Sequence, residues 1–390
     1  MIDLNNITLL GKNCCGCAGC EQACPQGCIS FSPDSEGFLY PEVDESRCTG
    51  CSVCLKKCPV YSEIKRGGEP KVFAAKIKDK KTALNSTSGG VFTAIAKHVL
   101  KSGGVVYGCA YDENLAVRHI SVESESELYK LQSSKYVQSN TRGIYSQAKK
   151  RLNDGKLVLF SGTGCQVAGL KAFLGRDYDN LILTDIVCHG VPSPLLFEKY
   201  LEYMGGKMGG KIKAYNFRSK EKYGWDKYFK IETASKSKQI YGYFDPYYNA
   251  FMNGNTFRES CYECKFANSR RAGDITLGDF WGVRKYHPDI YDFNGVSLVL
   301  INTEKGEKLW QLLNDNIESV PSLLENAVPL NKNLCAPPKR PSCRDGIYDG
   351  IDKDLNTYFN NKLAYKVDPK TKIKTMIPVG LKNALKKLKS

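Results

Sequence analysis

Eight of the chain's seventeen cysteines fall into one spacing that occurs twice. Cys14, Cys17, Cys20 and Cys24, followed by Pro25, read C-x2-C-x2-C-x3-C-P, and Cys48, Cys51, Cys54 and Cys58, followed by Pro59, repeat it. Three thiolates two residues apart can wrap three corners of an iron–sulfur cubane from one tight loop. The fourth cysteine opens a short helix that points away, toward the neighbouring cluster. The spacing therefore predicts two interleaved 4Fe-4S clusters. One is held by Cys14, Cys17, Cys20 and Cys58, the other by Cys48, Cys51, Cys54 and Cys24. Zinc is the competing reading, but zinc sites rarely use two interleaved sets of this kind. Cys15 and Cys28 stand outside the pattern and read as small buried apolar residues.

A second group of thiols has no such local pattern. Cys165 ends the glycine loop of "LVLFSGTGCQVAGL", Cys188 ends "LILTDIVC" with His189 beside it, and Cys261 and Cys264 form a C-x2-C pair. Four thiols from three segments match the count for a third 4Fe-4S cluster. Other chemistries stay open. The C-x2-C pair can hold zinc or cycle as a disulfide. Cys165 can be an activated thiol beside a helix N-terminus. His189 can donate a proton or serve as a hydrogen-bonded loop histidine. Cys109, Cys335 and Cys343 read as structural or incidental.

Two kinds of element must position these thiols. Residues 1–62 read as an α+β, ferredoxin-like two-cluster module, with "CISFSPDSEGFLYPEVD" as a hairpin turning at Gly37. The polar segment "SEIKRGGEPK" reads as a linker. Beyond it, 72–77, 104–111, 117–122, 157–160 and 181–188 read as strands with helical patterns between several of them. This predicts an α/β domain with a mixed sheet over 70–350, in parts 70–150 and 151–350. Sites in such sheets form at the carboxyl ends of strands. After "NSTSGG" a helix places Val91, Phe92, Ile95, Ala96, Val99 and Leu100 on one face. Its start, with Ser86, Ser88, Gly89 and Gly90, suits a phosphate or pyrophosphate, an N-cap with a glycine turn being the plain alternative. The aromatic stretch before Cys261 reads as strands and a Tyr-rich segment, suited to core packing or to stacking on a flat heterocycle.

Composition bounds the rest. Hydrophobic residues are 42% and charged residues 25%, as in ordinary globular chains. There is no apolar run of membrane-spanning length and no basic–apolar leader pattern. Thiols spaced for metals point to a reducing, cytoplasmic setting. A formal charge of +15 fits a solvated surface, an acidic redox partner or phosphates, and with no nucleic-acid motif present nucleic acid is not expected. Residues 351–390 read as a basic tail. From Lys366 on it carries eight lysines against Asp368, with weakly amphipathic Leu381, Leu385 and Leu388. It is expected to be solvated, with contact to an anionic membrane surface as the minor alternative.

Taken together, the double thiol motif, "STSGGVFTAIA", "SSKYVQS", "FSGTGCQVAGL", "CHGVPSP" and "RRAGDITLGDFWG" resemble the beta-subunit family of coenzyme F420-reducing hydrogenase and related dehydrogenases, to about residue 350. The resemblance implies FAD on the α/β domain, making it a flavin-binding domain. It implies a two-electron carrier or substrate at the flavin and clusters relaying single electrons. Ser86, Ser88, Gly89, Gly90, Lys135, Tyr136, Gly162 and Thr163 are then expected at the cofactor. Lys135 and His189 are the catalytic candidates, and Cys165, Cys188, Cys261 and Cys264 are expected to ligate the cluster nearest the flavin. The family commonly has proline before the loop cysteine, where this chain has Gly164. Implied partners are ferredoxin or a deazaflavin-like coenzyme, with an unknown substrate, in a homo-oligomer or beside a partner subunit. Some relatives are associated with surface-polysaccharide gene sets. An electron-transfer subunit serving a separate catalytic chain, and a thiol enzyme using Cys165, are the rival functions.

Overall fold

Strand β3 (Lys71–Ile77) carries its buried residues on both faces, as a strand does when it lies inside a sheet covered on both sides. In the computed structural model, which describes residues 6–364 together with Val367 and Pro369, that sheet has eight strands. Its order is β13 (Ile317–Ser322), β3, β12 (Ser297–Ile301), β11 (Ile275–Asp279), β7 (Leu181–Ile186), β6 (Val158–Thr163), β4 (Val105–Tyr111), β5 (Val117–Val122). β11, β7, β6 and β4 run parallel, and β5, β12 and β13 pair antiparallel to their neighbours. Two antiparallel steps, β11 to β12 and β12 to β3, return β3 to the parallel direction. The carboxyl ends of β3, β6, β7 and β11 therefore lie along one edge. The mixed sheet is as expected.

Helices cover both faces. On one, Val91–Lys101 packs Ile95, Ala96 and Val99 against the sheet with no exposed surface. Burying each of the larger two contributes about 1.5–3 kcal/mol. On the other, Ile144–Asn153 and Gly164–Leu174 enclose Val158, Phe160 and Val167. A third, aromatic core forms between helix Pro194–Met208 and a small antiparallel sheet of β8 (Ala214–Asn216), β9 (Tyr228–Glu232) and β10 (Ser237–Tyr241). The Tyr-rich segment is the helix Pro246–Met252, whose Tyr247 and Tyr248 are buried there.

Ahead of the sheet, β1 (Ile29–Pro33) and β2 (Leu39–Val43) form the expected hairpin, with Gly37 at φ 82°. The linker is not free. Arg66 donates to the Lys265 carbonyl and Gly67 N–H to the Arg271 carbonyl. The boundary at residue 351 is corrected. Ile351, Tyr358, Phe359 and Leu363 are buried in the aromatic core, where Phe359 stacks on Tyr203 at 4.7 Å. Apolar side chains spaced along 351–364 thus continue the domain. The basic segment from Lys366 lies outside the described residues, apart from Val367 and Pro369. Among the described residues no helix is long and apolar enough to cross a membrane.

Candidate functional site

The first thiol loop closes tightly because Gly16 (φ 70°) and Ala18 (φ 54°) take left-handed conformations. Cys14, Cys17 and Cys20 are buried, and so is Cys58 from the second motif. Burial raises the Cys20 thiol well above its ordinary value, and the charges of Cys14 and Cys58 push it further. Burial likewise raises Cys58, with Cys14 and Cys54 adding to it. The thiol of Cys58 thus lies close enough to those of Cys14, Cys17 and Cys20, as well as to Cys54, for their charges to act on one another. Cys28 is buried as expected. Its Sγ lies 3.4 Å from that of Cys24, and its thiol, raised to about 11 by that hydrogen bond, is also influenced by Cys48. Cys51 is exposed.

The edge of the large sheet opens on a cavity of about 1060 Å³, at the upper end for a cofactor site. Cys165, Cys188, Cys261 and Cys264 all line it. Cys165 starts helix Gly164–Leu174 directly after β6, held by a capping box in which Thr163 N–H donates to Gln166 Oε1 at 3.0 Å. Cys188 follows β7. The C-x2-C pair is brought beside it by Arg271, buried against Asp185. Arg271 donates to the carbonyls of Phe266 (2.9 Å) and Ile186 (2.8 Å), tying the Cys264 loop to the end of β7. Each thiol feels the others. Burial pushes Cys188 up to about 12, with Cys165 and Cys264 adding, and Cys264 to about 11, with Cys165 adding. Cys261 is raised well above the ordinary range by burial and then by Cys188, Cys165 and Cys264. Thiols crowded in this way resist ionising beside one another, which binding to iron would relieve. Among the described residues no three His, Cys, Asp or Glu side chains close around a single-ion position. A cubane spreads its thiolates over separate corners.

The "STSGG" turn reaches the same cavity through Ser86, Ser88 and Gly90, but Gly89 does not line it. Gly89, expected at the cofactor, has a packing role. Its N–H donates to Ser297 Oγ at 2.9 Å, and a Cβ there would collide with the Ala75 carbonyl oxygen, so packing against the sheet requires the glycine. The hydroxyls turn inward as well, Ser88 to the Val296 carbonyl (2.8 Å) and Ser86 to Thr93 (2.8 Å). What faces outward is backbone. Gly90 makes no side-chain cap, and the first helical bond runs from Ala94 N–H to the Gly90 carbonyl. The N–H groups of Val91, Phe92 and Thr93, all in the cavity lining, thus lie ahead of the ladder. Buried Lys220 holds the turn, donating to the carbonyls of Ser88 (2.6 Å) and Ala83 (2.8 Å).

Lys135 and Tyr136 both line the cavity, with Gly162 and Thr163 opposite. Lys135 Nζ donates to the carbonyls of Lys130, Gln132 and Ser133 at 3.1, 2.7 and 3.3 Å, so all three of its donors are taken. Burial lowers it to about 8. Tyr136 stacks on Phe251 at 4.3 Å and accepts from Arg218 at 3.1 Å. His189 is also in the lining, with Nε2 3.1 Å from the Met252 carbonyl and Nδ1 3.3 Å from Asn333 Oδ1. Both ring nitrogens are engaged.

Several lining residues were invisible as site residues in the sequence. Buried Arg218 pairs with Asp279 at 2.8 Å beneath Trp281, which stacks on Trp225 at 4.9 Å. Burial alone would raise Asp279, but the Arg218 guanidinium holds it below the usual carboxylate range. His119 lies opposite Cys109 across β4 and β5. Burial lowers it to about 4, so it is neutral. It donates from Nε2 to the Ser161 carbonyl (3.0 Å) and accepts at Nδ1 from Ser139 (2.7 Å). Cys109 is thus part of the cavity wall. Cys15, expected as a small buried apolar residue, is half-buried, packs against an apolar core and lines the cavity with Cys165. Its place inside the first thiol loop was the available signal.

Residues 155–321 match the model for the C terminus of the "Coenzyme F420 hydrogenase/dehydrogenase, beta subunit" family, and residues 13–62 match the 4Fe-4S dicluster domain. The chain is similar to coenzyme F420-dependent sulfite reductase of Methanocaldococcus jannaschii, with 27% identity over 323 residues. That match covers 78% of this chain and 46% of the relative, so the chain spans less than half of that protein's length. An uncharacterized ferredoxin of the same organism is 30% identical over 60 residues, 15% of this chain and 77% of the ferredoxin. Among solved structures, a chain of the F420-reducing NiFe hydrogenase complex from Methanosarcina barkeri superposes with a TM-score of 0.48 at 17% identity. It covers 69% of this chain and 88% of that one.

Proposed function

We propose, from the match of residues 155–321 to the C terminus of the coenzyme F420 hydrogenase/dehydrogenase beta-subunit family and of residues 13–62 to the 4Fe-4S dicluster domain, that this chain is an iron–sulfur flavoprotein oxidoreductase. One observation carries the reading. A single cavity is lined by four thiols and by Val91, Phe92 and Thr93, whose N–H groups precede the first helical bond. The first set fits a third 4Fe-4S cluster. The second fits the pyrophosphate of FAD, which anion binding at helix N-termini favours. A bound flavin would exchange an electron pair with a carrier or substrate on one side and single electrons with clusters on the other.

The chain's own residues prepare the site. Lys220 and Ser297 hold the turn so that the N–H groups of Val91, Phe92 and Thr93 face the cavity. Tyr136, Phe251 and Trp281 offer flat faces for a heterocycle. Lys135 clamps the 130–135 loop by its three carbonyl bonds and sets a positive charge behind the cavity wall. His189, with both nitrogens engaged, positions the loop between β7 and helix Pro194–Met208. The redox carrier is a ferredoxin or a deazaflavin-like coenzyme, in a reducing compartment.

Anaerobic purification followed by iron analysis, a visible spectrum and flavin extraction tests this. The expected result is about twelve iron per chain and one extractable FAD. Fully metallated protein with about eight iron and no flavin would overturn it.

A further inference from the structure

Five thiols, not four, meet at the thiol end of the cavity: Cys15, Cys165, Cys188, Cys261 and Cys264. A cubane takes four. Cys15 is the one that comes from the other module. In sequence it lies between Cys14 and Cys17, both assigned to the N-terminal set. In space its side chain leaves the core of that module and packs with Cys17, Cys165 and Cys264 in the core of the α/β domain.

The loop that carries it is gripped with unusual thoroughness. Arg258, fully buried, donates from Nε to the Cys14 carbonyl at 2.6 Å. Gln138 Nε2 donates to the Cys15 carbonyl at 3.2 Å, and Thr141 Oγ1 to the Cys17 carbonyl at 2.9 Å. A Cβ at Gly16 would collide with the Gln138 side-chain amide. Donors from two separate segments of the α/β domain thus hold three carbonyls of one short loop. Burying thiols does not require this. Setting the loop at a fixed distance from Cys165 does.

We propose that Cys15 is the contact through which single electrons cross between the N-terminal thiol set and the thiol set at the sheet edge, as a positioning residue and not as a fifth ligand. The proposal rests on the reading of Cys165, Cys188, Cys261 and Cys264 as ligands of a third cluster. Electronic coupling decays more slowly along covalent bonds than across gaps. The Cys14–Cys15 backbone followed by one through-space step from Cys15 to Cys165, which packs on the same core and lines the same cavity, leaves a single gap. In the transfer one electron leaves the reduced cluster of the Cys14, Cys17, Cys20 and Cys58 set and is gained by the cluster of the Cys165 set. No bond breaks and no proton moves.

The test uses the full chain, reconstituted anaerobically with iron and sulfide, as wild type, Cys15→Ala, Cys15→Ser and Cys165→Ser. Iron per chain and the low-temperature paramagnetic spectrum of the reduced protein are read first. Freeze-quenched reduction by a chemically reduced two-cluster ferredoxin is read next. For Cys15→Ala we expect wild-type iron, wild-type cluster signals and an unchanged first phase. The later reduction of the sheet-edge set should slow about tenfold or more, with Cys15→Ser slowed less. Loss of about four iron in Cys15→Ala would make Cys15 a ligand and overturn the proposal. So would full iron with an unslowed later phase, which leaves the third cluster standing. Wild type with about eight iron, unaltered by Cys165→Ser, would instead remove the third cluster and the proposal with it.

Discussion

The two thiol regions arrive at sets of four by opposite routes. In the N-terminal module a short, twice-repeated spacing brings the sulfurs together, aided by left-handed Ala18 and Ser52. At the sheet edge, Cys165, Cys188, Cys261 and Cys264 meet only because β6 and β7 run parallel in register and because the Arg271–Asp185 pair ties a distant loop to the end of β7. The first region is locally encoded and reaches the surface at Cys51. The second is set by tertiary structure and faces an internal cavity. Exposure is one of the levers on cluster potential, so under the proposed function the outer set would meet a carrier and the inner set a cofactor.

The contrast is broken most directly at Cys58. Because metal binding supplies folding energy to small modules, Cys58→Ala should remove about four iron per chain and open residues 13–62 to proteolysis. Full iron and an intact module would undo the interleaved assignment. Cys188→Ser should also cost about four iron, yet leave the sheet folded, since the eight strands do not depend on that thiol. A circular dichroism melt that collapses, or iron that does not change, would erase the distinction between the regions.

Arg258→Met sharpens it at the seam. The change strips donors from the carbonyls of Cys14 and Leu39, each buried acceptor costing about 1–3 kcal/mol. Faster amide exchange confined to the N-terminal module is expected, and uniform exchange across both regions would show that the seam matters little. The smallest effect belongs to Asp245, remote from both. Burial raises it to about 7, against the Tyr200 hydroxyl at 2.7 Å. The native state then holds a proton that the unfolded chain releases near 3.8. Stability from this group is full below that value and is lost as pH rises through about 7. Asp245→Asn should flatten the decline in urea midpoint between pH 5 and pH 8, and parallel profiles would refute the assignment.

Strand and helix positions after residue 70 were readable from alternation and from the periodic apolar face 91–100, because those patterns are the direct imprint of a two-sided sheet and its covering helices. The C-terminal boundary was misread because Phe359 is an aromatic partner of Tyr203 and Tyr200, which lie far away in sequence. Gly89 shows the same blindness at the site. A glycine beside a helix start looks like a ligand cradle, and only the approach of the Ala75 carbonyl identifies it as a packing glycine. His119 and Arg218 carried no motif at all, and Trp281 stood in the "RRAGDITLGDFWG" motif without a site role.

What the linear order of residues determined alone is the chemistry of the N-terminal thiols, because their type and spacing recur in two nearby loops, and the alternation that makes a mixed α/β sheet. What tertiary structure decided is which distant thiols share a cavity, which side-chain donors are already taken, and that Cys15 leaves its own module to stand beside Cys165. These are matters of strand register and packing between segments far apart in the chain, and no local pattern records them.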